Sequence, residues 1–273
     1  MKSIVAPINF SPCSFNAARY SADLALAIKA DLHLIHVLQV PVSSAELTIT
    51  ESLYQEMVDS ANLALQQLEA GLIKRTSGKV RIDTTLEAGS VADKVKDLCQ
   101  SLKPYAIVLG ATGPTLEKFM AGSPVVSLLR NLDYPVLVVP ETSVFHQFRR
   151  ILLACDIDDM GSGMSHSLPL LKDLREHFGS RFDIVTVETK RVLADAEYLF
   201  ESGCWKDQLK ELYPEVHYIR KSKVEEGIME YLAQNDADLI MVFPKKHGLF
   251  DFHVSQSRKL ALHSPIPVLS LQA

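Results

Sequence analysis

Four residues in one short stretch have the types and spacing to hold a phosphate. Gly110 and Gly113 frame the tetrapeptide GATG, and Gly122 and Ser123 follow after the eight residues 114–121. The run Tyr105–Leu109 before them reads as a buried strand, and Pro124–Asn131 after them as a helix. Glycines let a backbone turn tightly and approach a ligand closely. A helix start adds unpaired N–H groups and a partial positive charge. The competing reading is that the glycines only preserve a turn between strand and helix, since G-x-x-G alone is a weak signal.

Other constellations are less organised. Lys245, Lys246, His247 and His253 offer an anion site or a solvated loop. Asp156, Asp158 and Asp159 could hold Mg²⁺ or form an exposed acidic turn. Gly161-Ser162-Gly163 lacks the Lys-Ser/Thr pair of a phosphate loop and is read as a helix-capping region. His33 and His36 lie on a strand without an HxxxH or HExxH partner set, and are read as structural. Cys13, Cys99, Cys155 and Cys204 form no CxxC pair and are read as reduced packing thiols, and Trp205 as a packing anchor. There is no GxSxG elbow, no Walker lysine and no carboxylate pair with a cleft signature. Catalysis therefore has little support.

The elements that must position these residues alternate regularly. Strands are expected at Ser3–Pro7, Leu32–Leu38, Val80–Leu86, Tyr105–Leu109 and Pro135–Val139. Helices are expected from about Ser14 to Lys29, over Leu47–Lys74, and over Val91–Leu102 with Ser90 as N-cap. LHLIHVL is apolar enough to be covered on both faces, as in a parallel sheet. After the linker ETSVFHQF the series restarts. Arg150–Cys155, Phe182–Val187, Val216–Arg220, Asp238–Phe243 and Pro267–Leu271 repeat the strands, and Gly163–Phe178, Val192–Leu212 and Val224–Gln234 the helices. The period of roughly 130 residues is a whole domain, not a solenoid unit. The fold class is α/β: two tandem domains, 1–140 and 149–273, with parallel sheets, right-handed crossovers and helices on both faces.

The 273 residues suffice for two cores, and 47% hydrophobic against 22% charged residues is ordinary for a soluble globular protein. A net charge of −5 gives no general attraction to nucleic acid or anionic membrane. No run of 18 apolar residues suggests a span, and MKSIVAPINF enters a strand without a signal-peptide core. The expected location is the cytoplasm.

PINFS after the first strand, LHLIHVL, and GATG…GSP…YPVLVVP together resemble the universal stress protein (UspA-type) family, in tandem form. The resemblance covers 1–140 with specific motifs and 149–273 mainly through strand order. It implies Rossmann-like (adenine nucleotide alpha hydrolase-like) domains, each a five-stranded parallel sheet flanked by helices, with ATP at the carboxyl ends of the strands in nucleotide-binding members. By that likeness Gly110, Gly113, Gly122 and Ser123 would serve the phosphates, with Thr112 and Val125 also in the nucleotide site and Mg²⁺ as companion ion. Pro7, Ile8, Asn9 and Val37 would line the base and ribose. The family pattern is G-x2-G-x9-G-[S/T] with Asp after the first strand. This chain has eight spacer residues, Asn9 for Asp, and Pro124, which lacks an N–H, after Ser123. The second repeat has Asp156 but replaces Gly110 by Phe243 and Gly122 by Val254, so its phosphate cradle is expected to be lost. Two functions remain open: an adenine-nucleotide-binding regulatory protein, or a nucleotide-independent interaction module packed as an intrachain pseudo-dimer, able to form a homodimer and to engage an unknown protein partner. A nucleotide-processing enzyme is a third, weaker option.

Overall fold

The computed structural model describes residues 2–39, 50–111, 134–154, 160–188, 209–243 and 264–271. The chain divides into two compact units, Met1–Phe145 and His146–Ala273. The first contains β1 (Ser3–Ile8), α1 (Pro12–Ile28), β2 (Asp31–Leu38), α2 (Glu51–Arg75), β3 (Ile82–Ala88), α3 (Val91–Leu102), β4 (Ala106–Ala111) and β5 (Val136–Pro140). Its strands lie in the order β3-β2-β1-β4-β5, and every described pairing among them is parallel. Ile4, Val5, Leu32, Leu34, Ile107, Val108 and Val138 are fully buried, as strands covered on both faces must be.

Helix α1 starts earlier than its apolar periodicity suggests. Ser11, not Ser14, is the N-cap: its side chain accepts from Ser14 N, and Pro12 occupies the first turn, where its missing N–H costs nothing. The helix ends at Lys29 in the left-handed region, with the cap N–H donating to Ala25 O. Its inward face is made of Ala17, Ala18, Ala22 and Ala25, all fully buried, so its backbone can lie close to the sheet. The buried Ser21 hydroxyl in that face is satisfied by Ala17 O at 2.7 Å.

Strand β4 runs two residues further than the sequence reading places it, so Gly110 and Ala111 are strand residues and not the start of a turn. A Cβ at Gly110 would fall 2.3 Å from Cys13 O and 3.0 Å from Ser14 N. The glycine is required by the first turn of α1, which occupies that space.

Helix α2 is mostly solvated, burying only Ala61, Leu65 and Leu72 along its length. Arg75 near its end makes a bidentate pair with Asp23 of α1 at 2.7 Å for both bonds. That pair holds the guanidinium pKa above its ordinary value. Helix α3 is capped by Ser90 as its sequence predicts, and it turns Val95 and Cys99 inward.

The second unit contains β6 (Arg150–Ala154), α4 (Met160–Phe178), β7 (Arg181–Glu188), a 3-10 turn (Lys210–Leu212), β8 (Glu215–Arg220), α5 (Val224–Gln234), β9 (Leu239–Val242) and β10 (Val268–Ser270). Its strand order, β10-β9-β6-β7-β8, is again parallel throughout. Gly161 and Gly163 lie inside α4, not in a capping loop before it. Asp238, just before β9, accepts from both Arg149 N and Arg150 N at 2.8 Å and so fixes the start of β6. Gly227 lets α5 press onto β7, where an added Cβ would sit 2.7 Å from Val187.

Two predictions follow from this packing. Gly110→Ala must push α1 off β4, and is expected to cost about 2 kcal/mol or more in urea unfolding, in the range of core overpacking. Burial pushes the Cys99 thiol up to about 12 from an ordinary 9.0. The unfolded thiol ionises first, so the stabilisation is intact below pH 9 and is lost as pH rises towards 12. Denaturant midpoints should therefore fall more steeply over that window in the wild type than in Cys99→Ala, and a thiol reagent at neutral pH should leave Cys99 unmodified until the protein unfolds.

Candidate functional site

The strand order of the first unit's described strands has a topological switch point. Chain connections from β1 lead towards β2 and β3, and those from β4 lead the other way, to β5. The carboxyl ends of β1 and β4 therefore flank the switch point at which open α/β sheets hold their ligands. Pro7 and Ile8 end β1, Asn9 follows it, Val37 lies near the end of β2, and Gly110 near the end of β4. Thr112, Gly113, Gly122, Ser123 and Val125 lie outside the described residues, as do Asp156, Asp158, Asp159, Cys155, Cys204, Trp205, the Lys245–His247 loop and His253.

Strand register divides the described residues between two faces. Ile8 is paired with His36, and Pro7 with Ile35, so Val37, two residues beyond Ile35, shares the face of Pro7. Val5 pairs with Ile107, and continuing that register brings Ile8 level with Gly110. Since the missing Cβ of Gly110 points at α1, Ile8 and His36 belong to the α1 face. Pro7 and Val37 belong to the opposite face. The predicted residues thus converge on one sheet end but do not line one wall. Gly110 bears on the site through the position of α1, because the space its hydrogen leaves is already filled by Cys13 and Ser14.

The turn after β1 is tightly built. Asn9 Oδ1 accepts from Ser11 N at 3.1 Å and from Ser11 Oγ at 2.6 Å. Ser11 Oγ also lies 3.0 Å from Cys13 Sγ. The oxygen of Asn9 is thus committed within the turn, and what the exposed amide can offer a ligand is its NH₂ end. An aspartate at this position would keep the same two bonds and have a second oxygen to spare.

Phe10 carries no signal in the sequence reading, in which His36 is structural. Phe10 adopts φ 60°, a conformation uncommon for a bulky side chain. Its ring lies 4.4 Å from that of His36, centroid to centroid. His36 Nδ1 is 2.7 Å from Ile8 O. A carbonyl oxygen can only accept, so Nδ1 carries the proton, and a neutral ring keeps Nε2 as an acceptor. The only available signal was a histidine late in a buried strand, which by itself says nothing about what it touches. His33, at 3.7 Å from Asp83, is a strand-surface pairing, in keeping with the structural reading.

Comparisons with known proteins agree with this architecture. The family model described as the universal stress protein family matches residues 1–140. A universal stress protein of Methanocaldococcus jannaschii is 28% identical over 145 residues, covering 50% of this chain and 81% of that protein. Universal stress protein G of Shigella flexneri is 29% identical over 143 residues, covering 50% of this chain and 98% of its own. The crystal structure of a universal stress protein from Archaeoglobus fulgidus covers 99% of this chain and 98% of its own, with a TM-score of 0.76 at 18% identity. That structure extends the likeness of fold across both units. Among the described residues no helix is long and apolar enough to cross a membrane. With its family pattern over the first unit and its repeated α/β fold, the chain belongs to the universal stress protein family.

Proposed function

We propose that the first unit binds an adenine nucleotide, ATP with Mg²⁺, at the carboxyl ends of β1 and β4, and that the protein acts as a nucleotide-responsive regulator. The observation that supports this reading is the topological switch point between β1 and β4: β1 presents Pro7 and Asn9 at its carboxyl end, and the glycine pattern Gly113, Gly122 and Ser123 follows β4 in the sequence. In this reading the base and ribose rest against Pro7 and Val37 on one face of the sheet, with Asn9 at the ribose. The backbone N–H groups around Gly113 and Ser123 take the phosphates, aided by bound Mg²⁺. Binding in this reading changes the surface offered to a partner protein.

The second unit supports no equivalent site in this reading. Phe243, immediately after β9, takes the place that Gly110 has after Leu109 in β4, and brings a large side chain where the first unit has none.

Calorimetric titration of the full chain with ATP-Mg²⁺ tests the assignment. The wild type should bind, and Gly113→Val and Gly122→Val should each weaken binding by about tenfold or more, since a Cβ at a phosphate turn blocks main-chain approach. Asn9→Asp should tighten it by about fivefold through a charge-assisted bond to the ribose. No heat of binding for the wild type at about 1 mM ATP, well beyond the weakest affinity a nucleotide sensor could use, ends the reading.

A further inference from the structure

The amino-terminal half of the second unit's sheet, at the end opposite the ligand-binding edge of such folds, contains a group of polar side chains that nucleotide binding does not use. Asp183 of β7 is directly paired with Glu215 of β8, and His217 lies two residues further along the same face of β8. One donor atom from each of the three, a carboxylate oxygen of Asp183, a carboxylate oxygen of Glu215 and a ring nitrogen of His217, falls within 4.8 Å of the others. The His217 side chain is 32% exposed, but its Nε2 atom is covered and has no hydrogen-bond partner, with the Glu215 carboxylate 3.9 Å away. A buried imidazole nitrogen without a partner costs free energy unless something fills the gap.

The surroundings hold these donors in place. The Asp183 side chain is only 4% exposed, and Arg150 Nε donates to its Oδ2 at 2.5 Å. Tyr231 of α5 reaches Arg150 through its hydroxyl at 3.4 Å, and its ring packs on that of His217 at 4.9 Å. Glu215 is exposed, which leaves the group open to solvent on one side.

We propose that Asp183, Glu215 and His217 form a binding site for a divalent transition-metal ion of the zinc class, with solvent completing its coordination. Three lines of chemistry select that class. An imidazole nitrogen with two carboxylates suits Zn²⁺, whereas Mg²⁺ and Ca²⁺ prefer all-oxygen sets. The two carboxylates carry two negative charges and Arg150 offsets one, so a dication is accommodated without a large excess of either sign. Arg150 and Tyr231 supply the outer contacts that orient ligands in such centres, Arg150 on the carboxylate and Tyr231 against the imidazole.

The test is zinc titration of the full-length, nucleotide-free protein against a competing fluorescent chelator, with Co²⁺ absorption as a second readout. The wild type should take up one Zn²⁺ ion through this site. Glu215→Gln and His217→Ala should each weaken it by about 10–100-fold or more, the scale on which metal centres lose affinity even through outer-shell changes. Glu215 is exposed, so its substitution leaves the fold intact and the result can be read without ambiguity. The Co²⁺ complex of the wild type should show a visible ligand-field band that both variants lack. No zinc uptake by the wild type overturns the proposal, and so does uptake of equal affinity in both variants. Neither outcome bears on ATP binding in the first unit.

Discussion

Helix α1 lies so close to β4 that no side chain at position 110 can fit between them. The carboxyl end of β4 and the start of α1 in the first unit are built around that contact. It requires an alanine face on α1, supplied by Ala17, Ala18, Ala22 and Ala25, because larger residues would lift the helix away. It also requires the chain to leave β1 and enter the helix within a few residues. Asn9, Phe10 and Ser11 accomplish this through an amide-capped turn, a left-handed residue and an N-cap in succession. A close helix-sheet contact, a sharp turn and an exposed amide at the switch point are therefore parts of a single geometric requirement. Glycine at 110 serves the scaffold first, and any ligand at this sheet end meets a surface that this packing has already shaped.

The two units share strand order and parallel pairing, yet they place their polar side chains differently. In the first unit the described strands are nearly all apolar in the interior, and polar groups gather at the carboxyl end of β1. In the second, Asp183 is buried within the sheet and is matched to Arg150, whose guanidinium it holds further towards the charged form. The same neighbourhood pushes the Tyr231 hydroxyl up to about 12, through burial first and the Asp183 charge second. A charge pair at a partly buried site is poor evidence for added stability, since desolvation offsets much of the attraction. Its presence makes more sense as a means of fixing the geometry of neighbouring groups.

Much of this was legible in the chain itself. Helices α3 and α5 begin and end where periodicity puts them, at Val91–Leu102 and Val224–Gln234, and Ser90 caps α3. Both are short and amphipathic. The starts of α1 and α4 were misplaced for a shared reason: Pro12 and the glycines at 161 and 163 read as loop by propensity, but Pro is compatible with a first helical turn, and tertiary packing tolerates glycine inside a long helix. Gly110 was read as a turn because glycine after a buried run usually is one. Strand pairing with Val139 extended β4 through it instead.

The sequence by itself determined the duplicated α/β organisation, the parallel sheets and the family pattern, because these follow from local periodicity and from motifs whose members are close in the chain. Only the tertiary structure decided that Gly110 faces a helix, that Phe10 and His36 meet over Ile8, and that Asp183, Glu215 and His217 share one face. Those relations join residues dozens of positions apart, and they are set by strand register and close packing. A shift of a single residue in register would send each side chain to the other side of its sheet, and no local pattern records which register the folded chain selects.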